Sequence, residues 1–138
     1  MSAVQPGIAG LNHLCLCVRD LDEALAFYDR VMPAMGWQPR RAAESRAYVA
    51  GNYELYLQQS RQPQAGFQRY GIGLQHLASN APSRAAVDAL HALLLEMGAD
   101  ITDAPAEYPQ YSAGYYAVFF RDPSGIVLEF CYTPNMIL

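Results

Sequence analysis

The chain repeats itself. A strand-like segment with a histidine near its start, an amphipathic helix stopped near a glycine, and further strand-like segments occur twice. His76 follows His13 by 63 residues and Gly98 follows Gly36 by 62. Two unrelated landmarks agreeing within one residue mark an internal duplication, so the fold must be assembled from two copies of one supersecondary unit.

In the first copy, Leu11 to Val18 (LNHLCLCV) alternates as a strand, with Leu11, His13, Cys15 and Cys17 on one face and Asn12, Leu14, Leu16 and Val18 on the other. Asp20, with Glu23 three residues on, is a variant capping box for a helix bearing Leu21, Ala24, Leu25, Tyr28, Val31 and Met32 at helical spacing. Pro33 and Gly36 should end it. Trp37 to Pro39, a strand over Ser45 to Ala50, a Gly51-Asn52 turn and a strand over Tyr53 to Gln58 follow, the last two as a tight hairpin.

In the second copy, Gly73 to Ser79 is a strand carrying His76. Ser83 caps a helix with Val87, Leu90, Leu94 and Met97 on one face, and Gly98 stops it. A short strand over Asp100 to Thr102, a Tyr-rich loop from Ala104 to Gly114, a strand from Tyr115 to Arg121, a turn at Asp122-Pro123-Ser124-Gly125 and a strand from Ile126 to Tyr132 complete the unit. The prediction is an α+β protein of two βαβββ modules forming a curved, incompletely closed sheet or barrel with helices outside. It is a single domain over residues 1–138, with modules at 11–58 and 73–132, a linker at 59–72 and a tail at 133–138. One sheet face of each unit is covered by its helix and the other is open, and the open faces are expected to curve around a shared concavity.

The net charge of −4 gives no basic face for nucleic acid. All nine basic residues are Arg, which removes lysine Schiff-base chemistry and the P-loop lysine. No apolar run approaches the roughly 20 residues of a membrane span. Met1 to Gly10 has neither the basic start nor the apolar run of a secretory signal. Three cysteines, two of them two residues apart, make no disulfide framework. A cytoplasmic protein with reduced thiols is expected, with a small molecule as its partner and neither nucleic acid nor membrane.

Strand phase singles out four side chains. In the last strand Ile126, Leu128, Phe130 and Tyr132 suit the helix-packed face, so Val127, Glu129 and Cys131 point the other way. In the hairpin strand Tyr53, Leu55 and Leu57 share one face, leaving Glu54 and Tyr56 opposite. His13 lies opposite Leu14, Leu16 and Val18. Either histidine alone reads more simply as a core residue, but four such residues at matching places in two repeats do not. An Asp or Glu in an otherwise apolar strand is costly unless paired or metal-bound.

With one His and one acid per module, and with the ending RDPSGIVLEF (Arg121 to Phe130), the chain from about Leu11 to Tyr132 resembles the vicinal-oxygen-chelate superfamily of glyoxalases, bleomycin-resistance proteins and extradiol dioxygenases. The resemblance implies a divalent-metal site of His13, Glu54, His76 and Glu129. Such a set suits Zn, Ni, Co, Mn or Fe(II). It implies Glu129 and Glu54 as catalytic proton-transfer groups, and a homodimer whose site is either within one chain or shared between two. Tyr56, Tyr108, Tyr111 and Tyr115 are candidates to contact substrate, although a Tyr-rich rim is as often plain packing. Arg40, Arg41 and Arg46 read as a solvated face, Cys15, Cys17 and Cys131 as small buried thiols, and His91 lies outside the site.

The implied function is a metal-dependent enzyme of the glyoxalase type. It would chelate vicinal oxygens of a small substrate for lyase or isomerase proton transfer. The alternatives are an Fe(II) extradiol-type dioxygenase using His13, His76 and Glu129, and a non-catalytic drug-binding or resistance protein. A fosfomycin-thiol transferase is disfavoured by the absence of Lys.

Overall fold

The computed structural model describes residues 10–42 and 45–136. The ends of the chain, including most of the segment before Leu11 and the last two residues of the expected tail, lie outside the described residues. The order of elements is β1 (His13–Val18), α1 (Leu21–Ala34), β2 (Gln38–Ala42), β3 (Ser45–Ala50), β4 (Tyr53–Gln59), β5 (Leu77–Asn80), α2 (Arg84–Met97), β6 (Asp100–Glu107), β7 (Tyr116–Arg121) and β8 (Val127–Tyr132). They form two four-stranded sheets of identical topology, β1-β4-β3-β2 and β5-β8-β7-β6. In each, the first strand runs parallel to the last and the others pair antiparallel. The two sheets do not close into a barrel, and the arrangement is the α+β pair of βαβββ modules expected from the repeat.

Local chemistry sets the helix ends. Asp20 accepts a hydrogen bond from the Glu23 N–H at 2.9 Å, and Ser83 accepts one from Ala86 at 3.1 Å. Gly98 ends α2 in the left-handed conformation, φ 65°, which glycine adopts without a Cβ penalty. Pro33 does not end α1 as expected. It occupies the last turn, the helix runs on to Ala34, and Met35 is the cap.

Other boundaries differ from the sequence reading: β1, β7 and β8 start one or two residues later, and the strand expected over Trp37 to Pro39 is Gln38–Ala42. The strand expected over Gly73 to Ser79 shortens to Leu77–Asn80, so His76 precedes the strand rather than riding on it. The short strand after α2 extends to Glu107, taking in Pro105 through register shifts on either side of Asp103; such irregularities let an edge strand accommodate proline. β4 also includes Gln59, and the connection to β5 is built of turns.

The two modules meet through their helix-covered faces. One core combines Leu16, Val18, Tyr28, Val31, Leu55 and Leu57 of the first with Leu90, Leu94, Phe120, Leu128 and Phe130 of the second. Phe27 on α1 lies 6.3 Å from Phe120 on β7, centroid to centroid. The buried Tyr28 hydroxyl donates to Asp122 at 2.9 Å. Asp122 in turn accepts from the N–H groups of Ser124 and Ile126, fixing the β7–β8 turn. Arg19 reaches the same turn, donating to the Pro123 carbonyl at 2.7 Å. The apolar faces took the contact, since burying them gains most, and the two His–Glu pairs line separate clefts rather than the one expected. No helix among the described residues is long and apolar enough to cross a membrane.

Candidate functional site

Each module carries one imidazole and one carboxylate at the same place in its topology. In the first, His13 and Glu54 are register partners on parallel β1 and β4. They line a cleft of about 360 Å³ together with Trp37, Tyr53 and the edge strand β5. In the second, His76 stands just before β5 with its Nε2 3.1 Å from Oε2 of Glu129 on β8. This pair lines a separate concavity of about 540 Å³ with Arg69, Tyr108, Tyr111, Tyr115 and Phe119. The two concavities have no residue in common. Among the described residues, no three His, Cys, Asp or Glu side chains gather as a metal-binding group. One chain thus presents two half-sites.

The half-sites share a further feature that sequence reading missed. His13 Nδ1 meets the side-chain oxygen of Asn12 at 2.7 Å, and His76 Nδ1 meets that of Gln75. An amide oxygen can only accept, so Nδ1 is the donor in each contact; this leaves a lone pair on His13 Nε2, while His76 Nε2 faces Glu129 Oε2 at 3.1 Å. Metal-bound histidines are oriented in this manner by a second hydrogen bond. The only signal in the sequence was an Asn or Gln preceding each His.

Each carboxylate also receives a tyrosine hydroxyl. Tyr56 donates to Glu54 Oε2, and Tyr115 donates to Glu129 Oε1. The Glu54 hydrogen bond holds Tyr56 above the usual phenol range. Burial, then the Glu129 hydrogen bond, drives Tyr115 far above it. Both phenols stay protonated as donors at neutral pH. Glu129 is 2% exposed, so nearly all its stabilisation must come from these partners.

The surroundings differ between modules. Arg40 on β2 pairs with Glu54 Oε2 at 2.8 Å and donates to the Tyr56 hydroxyl at 2.8 Å, and His13 packs edge-on to the Tyr56 ring at 5.6 Å. Arg40 and Arg41 are therefore not a merely solvated face, because Arg41 pairs with Asp29. In the second module Tyr115, Ala117, Phe119, Val127 and Cys131 form a small apolar floor. Tyr108 stacks on Tyr111 at 5.5 Å and meets Tyr115 and Phe119 edge-on. Cys131 is buried, but Cys15 and Cys17 are exposed, contrary to expectation, because the open face of β1 has nothing over it in a single chain. His91 sits on α2, away from both half-sites.

Paired βαβββ modules, each with a His and a Glu at matching places, define a glyoxalase-like protein. The chain belongs to the Glyoxalase/Bleomycin resistance protein/Dioxygenase superfamily, whose model matches residues 10–130. It is 30% identical over 124 residues to the metallothiol transferase FosB of Shouchella clausii, covering 88% of this chain and 79% of that one. Among solved structures it is similar to a Bacillus halodurans protein taken to be a glyoxalase, with TM-score 0.77, 29% identity and coverage of 91% and 97% of the two chains. The lactoylglutathione lyase of Agrobacterium tumefaciens shares the fold, with TM-score 0.65 at 21% identity and coverage of 91% and 95%.

Proposed function

We propose that the protein is a divalent-metal enzyme of the glyoxalase type whose metal site forms between two copies of the chain. His13 and Glu54 of one copy would join His76 and Glu129 of the other. The observation that carries this reading is the matched pair of half-sites. Each offers an imidazole oriented at Nδ1 by a neighbouring amide and a carboxylate braced by a tyrosine, yet neither holds three donors. Two imidazoles and two carboxylates fit Zn, Ni, Co, Mn or Fe(II) and leave coordination positions for substrate.

Exposed apolar side chains support the pairing. Tyr70, Tyr111 and Met136, which line the second concavity, are at least half exposed, as is Leu11 beside the first. Such groups around a polar site mark a contact surface. A two-fold dimer would cover both concavities at once, since each copy would bring its first module to the other's second.

Once bound, the ion supplies Lewis-acid polarisation of two neighbouring substrate oxygens. The chain's own groups do the rest. Glu129, buried and held at Oε1 by Tyr115, would take and return a proton at Oε2. Glu54 is the second candidate base. Tyr56, Tyr108 and Tyr111 flank the substrate space, and the apolar floor at Phe119 limits water there.

Complementation tests the reading. His13→Ala and His76→Ala variants should each lose stoichiometric metal. Mixing them by unfolding and refolding together should restore about a quarter of the wild-type sites, because each mixed dimer regains one intact site. No recovery would defeat the shared site. The relationship to FosB favours a second reading, metal-dependent thiol transfer to a small electrophile. Assaying the metal-loaded protein for thiol consumption against isomerisation of an α-hydroxycarbonyl thiohemiacetal separates the two. O₂ uptake with catechols tests the dioxygenase reading, and the lack of bound metal would favour a purely binding protein.

A further inference from the structure

Arg69 differs from most of the other arginines in lacking an acceptor, and from Arg61 in being half-buried rather than exposed. Arg19, Arg30, Arg40, Arg41, Arg84 and Arg121 each pair with a carboxylate. Among the described residues Arg69 makes no hydrogen bond or ion pair, and its buried Nε has no partner. It nevertheless lines the second concavity, together with His76, Glu129, Tyr108 and Tyr115. No hydrogen bond or ion pair joins it to Glu129, whose carboxylate oxygens meet Tyr115 and His76.

The local structure holds this cation in place. A turn closed by the Gly71 N–H to the Gln68 carbonyl, at 3.1 Å, has Arg69 and Tyr70 at its two central positions. The guanidinium carbon lies 5.5 Å from the centroid of the Tyr70 ring. A ring contact occupies the face of a guanidinium and leaves its edge N–H donors free. A buried guanidinium N–H left without an acceptor is unfavourable, so the arrangement calls for an acceptor that arrives from outside.

We propose that Arg69 recognises an oxyanion, a carboxylate or phosphoryl group, on the small substrate of this site. The guanidinium offers only donors, in a planar fork that matches two oxygens of such a group. The concavity, about 540 Å³, has the size of a small-molecule pocket. Asp103 and Glu129 also line it, so an anion enters against their charge unless a cation, Arg69 or a metal, offsets it. The substrate class is thereby narrowed to small anionic molecules. The inference rests on the second concavity being the substrate site of the proposed enzyme.

Isothermal titration with pyruvate, methylphosphonate and the neutral hydroxyacetone tests it. Each probe is added to wild type, Arg69→Ala, Arg69→Gln and the remote control Arg30→Ala, with metal and after chelation. The expected result is roughly tenfold or greater loss of anion affinity in both Arg69 variants. Hydroxyacetone binding, metal content and Arg30→Ala should be unchanged. The anion bound more tightly by wild type then names the substrate group. Unchanged anion affinity in the variants, no anion binding by wild type, or hydroxyacetone binding as tight as pyruvate would overturn the proposal. So would conversion of Arg69→Gln to a monomer, which would assign the guanidinium to the subunit contact. A wild type without metal would defeat the metal reading alone, because titrations of chelated protein still decide the role of Arg69.

Discussion

Tyr115 and Glu129 are bound to each other at the floor of the second module: the phenol donates to Oε1 while Oε2 faces His76 Nε2 at 3.1 Å. One carboxylate is thus oriented from both sides. Replacing Tyr115 with Phe removes the donor but keeps the ring against Tyr108. Outer partners of metal ligands are worth about ten- to a hundredfold in affinity. Tyr115→Phe should lose metal affinity by that order in competition with a fluorescent chelator. Unchanged affinity would show that the phenol does not orient the ligand.

The amides before each histidine make a matched pair of tests. Asn12→Leu and Gln75→Leu free the imidazole to rotate and to take either tautomer. Both residues are exposed, so thermal stability should stay within about 0.5 kcal/mol. Metal affinity should fall about tenfold or more. Asn12→Asp and Gln75→Glu keep an acceptor and should retain most of it. Equal loss in all four would point to altered backbone rather than to a lost acceptor.

Much of this was legible from alternation. Side-chain period two placed Leu55 and Leu57 opposite Glu54, and Ile126, Leu128 and Phe130 opposite Glu129, and the core contains those apolar residues. The duplication was legible because His13 and His76, and Gly36 and Gly98, recur at nearly one offset. What did not follow was which faces meet. An open sheet face and a helix-covered one both carry apolar side chains in sequence, and only packing decides between them. Pro105 concealed the length of β6, since a proline demotes a strand unless a register shift accommodates it. Arg69 gave no signal at all, lying in a polar stretch that reads as a linker. Its place beside His76 is set by the turns between β4 and β5.

The contact between modules predicts a stability effect far from the half-sites. Tyr28 is fully buried, and its hydroxyl meets Asp122, which is 4% exposed. Burial raises the Asp122 carboxyl above its ordinary value, while the hydrogen bonds from Ile126, Tyr28 and Ser124 oppose that shift. Tyr28→Phe leaves the carboxyl short of one donor and should cost about 1–3 kcal/mol. That corresponds to a fall in Tm of roughly 3–10 °C for a domain of this size. Metal content at low temperature should be unaffected. A variant as stable as wild type would remove this hydrogen bond from the forces joining the modules.

The three thiols report on subunit pairing without any substrate. Burial, then the Glu129 charge, pushes the Cys131 thiol up to about 11. The thiolate is the reactive form, so at pH 8 only about one Cys131 in a thousand is ionised. Cys15 and Cys17 lie exposed on the open face of β1. A maleimide at pH 8 should therefore modify two cysteines of the dilute protein quickly and Cys131 only after denaturation. Raising the pH towards 11 should speed the third reaction, as its thiolate fraction climbs. If two copies cover each other's open faces, labelling of Cys15 and Cys17 should slow as protein concentration rises through the dimerisation range. Labelling rates independent of concentration, in protein shown by sedimentation to dimerise, would place the contact on some other surface and leave the half-sites of the two chains apart.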